Sequence, residues 1–176
     1  MTRRVAAVLV PLLLLLSASS MAEEKSLSSL GLTRPEGISS APPFFLKDLN
    51  GNPGALTDYH GQVILLHFWA TWCVPCRQEL PVIHALWERL RPRGLAVVAI
   101  AGDSQRAVQP FVTQQGLKFP VLLDQYGSAL RSYRVRALPM SYVVGKTGKI
   151  EWVAFGPVDW SADGVTRTIE ALLNEK

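Results

Sequence analysis

Cysteine is almost missing from this chain: 176 residues contain two. Two thiols cannot build a disulfide scaffold or a four-thiolate zinc site, which excludes a small stapled fold and a structural zinc domain. Charge is sparse as well, at 18% of residues, with 18 Lys plus Arg against 14 Asp plus Glu. The basic residues are scattered, with no run that would mark a phosphate-binding face, so no nucleic acid partner is implied. Internal repeats are absent, and the length suits one globular domain. Nor is there an apolar run of the roughly 20 residues that a membrane-spanning helix needs.

The longest such run, Val5 to Leu16, covers 12 residues. It follows Thr2-Arg3-Arg4 and precedes Ser17-Ala18-Ser19-Ser20-Met21-Ala22, so residues 1–22 read as a secretory signal peptide, with small residues at positions 20 and 22 for cleavage before Glu23. An uncleaved anchor is the alternative, and either way the domain is exported. Arg3-Arg4 lacks the rest of a twin-arginine signal, and no cysteine follows the run to make a lipoprotein. Loss of the leader lowers the formal charge from +4 to +2. Residues 23–41 are rich in Ser, Gly, Glu and Pro without apolar periodicity, which predicts a flexible linker, and residues 42–176 form the domain.

Within the domain, Phe44 to Leu46 predicts a short strand, followed by the turn signal Asn50-Gly51-Asn52-Pro53-Gly54. Val63 to Trp69 is nearly all apolar and rich in β-branched and aromatic residues, the pattern of a strand buried on both faces. Leu80, Ile83, Leu86 or Trp87, and Leu90 recur at helical spacing and end before Arg91-Pro92-Arg93-Gly94. Further strands are expected at 95–101, 120–123, 140–144 and 149–155, and helices at 104–115, 126–133 and around Val165 to Leu173. Pro81 should kink its helix, and Pro110 should end or bend the one from Ser104. Alternating strands and helices closed by a hairpin imply a mixed α/β sheet.

The two cysteines sit at a strand-to-helix junction. If the helix starts near Cys73, its sulfur faces unpaired N–H groups and the positive end of the helix dipole, which favour thiolate over thiol. Cys76 lies about one turn further in, close enough to attack a mixed disulfide formed at Cys73. A structural disulfide also fits an exported protein, although clamping so short a loop removes little unfolded-chain entropy.

The segment Phe68-Trp69-Ala70-Thr71-Trp72-Cys73-Val74-Pro75-Cys76-Arg77-Gln78-Glu79-Leu80-Pro81 closely resembles the active-site segment of thioredoxin-like proteins of the TlpA and ResA type. The resemblance runs from about Pro42 to the C-terminus, with Leu138-Pro139 at the place of the family's cis-proline and Gly156-Pro157-Val158-Asp159-Trp160-Ser161 before the last helix. It implies a thioredoxin fold, a central mixed sheet flanked by helices with an N-terminal strand extension, acting as a thiol-disulfide oxidoreductase outside the cytoplasm. Cys73 would be the attacking and Cys76 the resolving cysteine. Pro139 would shape the surface on which the Leu138 backbone pairs with an extended substrate. Glu79 would exchange a proton with Cys76, against the alternative of a solvated helix carboxylate.

The sequence departs from this family at two places. His67 stands where thioredoxins often have Asp and TlpA relatives Asn; a lone His on an apolar strand is most often a neutral core residue, with a proton relay as the alternative. His60 and His84 fall on a loop and a helix, where a solvated surface is the default. Met140 stands where ResA relatives often carry Thr and the DsbE branch Glu, which argues against that branch. Trp69 and Trp72 are expected to pack around the site.

Three function classes follow. The leading one is a reductant of disulfides in exported proteins, such as apocytochrome c or copper-site assembly proteins, fed by a membrane thiol carrier of the DsbD or CcdA type. The second is an oxidant that introduces disulfides, disfavoured because Val74-Pro75 supplies no His to stabilise the Cys73 thiolate. The third is a metal-binding chaperone, disfavoured because no His follows His84. No cofactor is implied, and a monomer is expected.

Overall fold

The computed structural model describes residues 27–175; the signal-peptide reading of 1–22 lies outside them. Eight strands form one mixed sheet: β1 (Leu32–Thr33), β2 (Phe45–Asp48), β3 (Pro53–Ala55), β4 (Val63–Trp69), β5 (Leu95–Ala101), β6 (Val121–Leu123), β7 (Met140–Val144) and β8 (Ile150–Phe155). Their spatial order is β1-β8-β7-β4-β5-β6-β2-β3. The parallel centre β4-β5-β6 is flanked by antiparallel β7 on one side and antiparallel β2 on the other. The helices are α1 (Val74–Leu90), α2 (Gln105–Gln115), α3 (Ser128–Ser132) and α4 (Asp163–Asn174).

Strand β4 shows why the sheet is covered on both faces. Val63, Leu65 and Trp69 join a core with Leu80, Ile83 and Leu90 of α1 and Ile169 and Leu173 of α4. Ile64, Leu66 and Phe68 alternate into a second core with Phe44, Ala129, Tyr133 and Tyr142. Because β4 and β5 are buried along their whole length, they read as continuous apolar runs, as parallel strands do. The loops at the C-terminal ends of β4, β5 and β6 emerge at one end of the sheet, together with the start of β7, whose Met140 pairs with Phe68.

The structure departs from these expectations at the linker and adds a strand to the turn at 50–54. The linker over 23–41 is not a free tether from Leu27 onward: Leu32 and Thr33 pair with Ala154 and Val153 at the edge of β8, Ser40 bridges Lys149, and Leu27 and Leu32 are buried. Its apolar residues are too few to show a period, so the sequence pattern concealed them. The turn signal at 50–54 contains the first residues of β3, which closes a hairpin with β2. A Cβ on Gly54 would lie 2.8 Å from Leu122 Cδ2, so a larger residue there would require the Leu122 side chain to shift. Pro110 does not end its helix, since α2 runs on to Gln115, and α1 likewise continues past Pro81 to Leu90. Both prolines are exposed, on the solvent side of their helices.

Candidate active site

Strand β4 delivers the chain through Ala70-Thr71-Trp72 to Cys73, which is the N-cap residue of α1. Its φ of −82° and ψ of 101° are extended, as an N-cap requires, and the Cys76 N–H points at Cys73 Sγ at 3.3 Å. Pro75, in the first turn, carries no N–H and fits where an intrahelical partner is lacking anyway. Cys73 and Cys76 form a disulfide with Cα atoms 5.3 Å apart. Cys73 is 4% exposed and Cys76 not at all, while the neighbours Trp72 and Val74 stand 70% and 52% exposed. Trp69 instead lies fully buried, its ring 5.3 Å from Phe111.

The junction is braced from the β5–α2 loop, by residues that the sequence reading missed. Asp103 Oδ2 accepts from the Thr71 hydroxyl and, at 3.3 Å, from the Thr71 N–H, while its Oδ1 accepts from the Ser104 N–H at 2.7 Å. The Gly102 N–H donates to Trp69 O at 2.9 Å. An Asp just after an apolar strand looks like any helix-start residue, so no local signal marked it.

Glu79 is not a solvated helix carboxylate. It is 6% exposed, and its Oε1 accepts from the Val158 N–H at 2.9 Å and from the Trp160 indole N–H at 2.7 Å. Its Oε2 is buried with no hydrogen-bond partner among the described residues. Burial pushes the carboxyl upward from its usual value, partly offset by the Val158 and Trp160 donors. The segment before α4 is therefore tied to α1 through this one carboxylate.

The Leu138–Pro139 peptide is cis, and Pro139 O accepts from the Gly156 N–H at 3.0 Å. Met140 is buried, with the Tyr142 hydroxyl 3.7 Å from its sulfur. His67 is fully buried on β4, its Nδ1 2.9 Å from Ser141 Oγ across the strand pair, and Nε2 lacks a partner among the described residues. Burial lowers its pKa to about 3, so the ring is neutral. His60 is exposed, whereas His84 is half-buried beside Trp87 and Phe119, not solvated as expected. Among the described residues no group of three or more His, Cys, Asp or Glu side chains is arranged to hold a metal ion.

The profile of the AhpC/TSA family matches residues 39–153. The chain is 32% identical over 135 residues to the thiol-disulfide oxidoreductase ResA of Geobacillus kaustophilus, covering 76% of each protein. Among solved structures, one described as a thiol:disulfide interchange protein DsbE from Chlorobium tepidum aligns with a TM-score of 0.72 at 31% identity, over 77% of this chain and 96% of the other. A secreted disulfide oxidoreductase of Mycobacterium tuberculosis, described as homologous to Escherichia coli DsbE, aligns with a TM-score of 0.65 at 25% identity, over 73% and 96%. With a thioredoxin-like sheet and a cysteine pair joined at the start of α1, the chain belongs to the AhpC/TSA family and is a thiol-disulfide oxidoreductase of the ResA and DsbE type.

Proposed function

We propose that the protein works outside the cytoplasm and reduces disulfides of exported proteins, apocytochrome c or copper-site assembly proteins among them, with Cys73 attacking and Cys76 resolving. The observation that carries the cysteine roles is the asymmetry of the pair: Cys73 caps the helix beside exposed Trp72 and Val74, and Cys76 lies one turn inside with no exposure; the reducing direction is favoured because Val74-Pro75 offers no side chain that would stabilise the Cys73 thiolate. The Cys73 thiolate attacks a substrate disulfide, forming a mixed disulfide and releasing one substrate thiolate. Cys76, deprotonated, then attacks Cys73 Sγ and releases the second, so two electrons pass to the substrate and the Cys73–Cys76 disulfide remains. A membrane thiol carrier of the DsbD or CcdA type restores the dithiol. The secreted Mycobacterium tuberculosis relative and the leader-like residues 1–22 support the location.

Glu79 takes the proton of Cys76 in this scheme, since it stands one turn further along α1 and its burial favours the protonated carboxyl. Leu138 and Pro139 offer the substrate an edge just before β7. Trapping tests the cysteine roles: Cys76→Ser should accumulate mixed disulfides with exported proteins, and Cys73→Ser should trap few. Equal trapping by both variants would overturn the assignment.

A further inference from the structure

A cavity of about 450 Å³ opens beside Pro139 and has no part in the exchange chemistry itself. Tyr133, Met140, Tyr142 and Val153 line it, and all four belong to the core on the sheet face opposite α1. Both tyrosine hydroxyls are already committed: Tyr133 donates to Pro42 O at 2.7 Å, and Tyr142 donates to Tyr133 O. This lining offers ring faces and a thioether to a visitor, the surroundings that an apolar side chain seeks. Phe155, 70% exposed, extends the apolar surface outward.

Charge enters from three exposed residues that also line the cavity, Arg134, Arg136 and Glu36. Neither arginine has an ion-pair partner among the described residues. The Arg134 guanidinium reaches across to the segment before β2, since a Cβ on Gly37 would lie 3.3 Å from its Nη1. Two cations against one anion leave the cavity net positive.

Its position links it to the reacting sulfur. Ala137 and Met140 line it on either side of Leu138-Pro139, and Gly156, another lining residue, holds Pro139 O. Met140 pairs with Phe68 on β4 and with Phe155 on β8, so the cavity stands at the same end of the sheet as Cys73. Neighbouring strands lie about 4.8 Å apart, so β4 to β8 is roughly 10 Å, and Cys73 stands beyond Trp69 at the end of β4, so an extended substrate held at Cys73 reaches the cavity within about three to six residues.

We propose that this cavity receives the substrate polypeptide about three to six residues from its reactive cysteine, seating an apolar side chain against Tyr133, Met140 and Tyr142 and selecting an acidic neighbour through Arg134 and Arg136. The proposal rests on the exchange reaction above and adds a substrate preference to it. Glu36 opposes the arginines and limits the selection.

Peptides bearing one cysteine as a mixed disulfide with 2-mercaptoethanol, with Leu-Glu or Leu-Lys stepped through the third to the sixth positions from it on either side, test the preference with the reduced full-length protein. The acidic peptide should be favoured in kcat/KM through KM, by about three- to fivefold for each arginine, the range of an exposed charge pair. Arg136→Gln, and Arg134→Asn, which tolerates the φ of 54° at that position, should each lower the ratio, and Glu36→Gln should raise it. The preference should collapse in 1 M salt, where the Debye length is about 3 Å. Turnover of the uncharged 2-hydroxyethyl disulfide should be the same in all variants. Normal turnover of that disulfide with no charge preference, or with one that the arginine variants and salt leave intact, overturns the substrate proposal alone. No turnover of any disulfide overturns the exchange reading, and this proposal with it.

Discussion

His67 carries a titration that the fold suppresses. The ring sits in the middle of β4 with its Nδ1 on Ser141, and burial holds its pKa at about 3 against an ordinary 6.5. Between these values the unfolded chain binds the extra proton, so stability is full above pH 6.5 and drains away as the pH falls toward 3, by about 1.4 kcal/mol per unit. At pH 5 the loss from this one residue is about 2 kcal/mol relative to pH 7. Glu79 runs the opposite way: its raised folded pKa means that stability declines as pH rises from the unfolded carboxylate value through the folded one. A variant therefore isolates each effect. His67→Asn keeps a polar partner for Ser141 and removes the titration, so the difference in urea-unfolding free energy between pH 7 and pH 5 should shrink by about 2 kcal/mol. An equal difference in both proteins would show that the folded ring accepts a proton. For Glu79→Gln, an amide oxygen can still accept from Val158 and Trp160 without the cost of a buried charge. Stability at pH 7 should not fall, while release of the mixed disulfide at Cys73 should slow about tenfold or more if the carboxylate takes the Cys76 proton. An unchanged rate would confine Glu79 to tying α1 to the segment at 158–160.

At the scale of elements, the N-terminal strand shows how a segment without sequence pattern becomes structural. Leu32 is 1% exposed, and Leu30 packs so tightly against α4 that a Cβ on Gly164 would come within 2.6 Å of its Cδ1. β1 also covers the β8 edge, which would otherwise present open hydrogen-bonding groups. Leu32→Ala should cost about 2–4 kcal/mol by denaturant unfolding and leave thiol exchange intact. A loss within about 0.5 kcal/mol would mean the segment is a tether after all. The long elements were legible because they repeat a period: β4 and β5 as apolar runs, α1 through Leu80, Ile83, Leu86 and Leu90. The start of α1 was anticipated only from the strand-to-helix junction at the cysteines, since Cys73, which caps it, is not a residue that favours the N-cap. What stayed hidden depends on partners far away in the chain. β3 forms by pairing with β2 and packs its Gly54 against Leu122, and Glu79 is buried where Val158 and Trp160 return 79 and 81 residues later. Asp103 braces Thr71 from another strand's loop, and the cavity at Arg134 needs the segment at 35–38 folded over it. Periodicity reports which face is apolar; it carries nothing about which distant group meets that face.

For the molecule as a whole, the direction of electron flow depends on how strongly it stabilises the Cys73 thiolate. A stabilised thiolate makes the dithiol form the more stable one and raises the reduction potential, making the disulfide a stronger oxidant. Between about −270 mV for thioredoxin and about −120 mV for a DsbA-type oxidant lies roughly 150 mV, or about 7 kcal/mol for two electrons. The start of α1 aims one N–H, that of Cys76, at Cys73 Sγ, while Pro75 contributes none and Val74 no charge. A donor to a charged group supplies about 1.5–3 kcal/mol, and a helix terminus up to about 2 kcal/mol. Together these fall short of the 7 kcal/mol that a strong oxidant requires. The pair should therefore equilibrate near the thioredoxin end of the range, as a reductant of exported proteins needs. Incubating residues 23–176 in graded dithiothreitol buffers and measuring the oxidised fraction gives the value. Replacing Pro75 with His should move it upward by tens of millivolts, because an imidazolium beside Cys73 adds the missing stabilisation. A DsbA-like potential in the unaltered protein would instead make it an oxidant, and the membrane thiol donor would have no role.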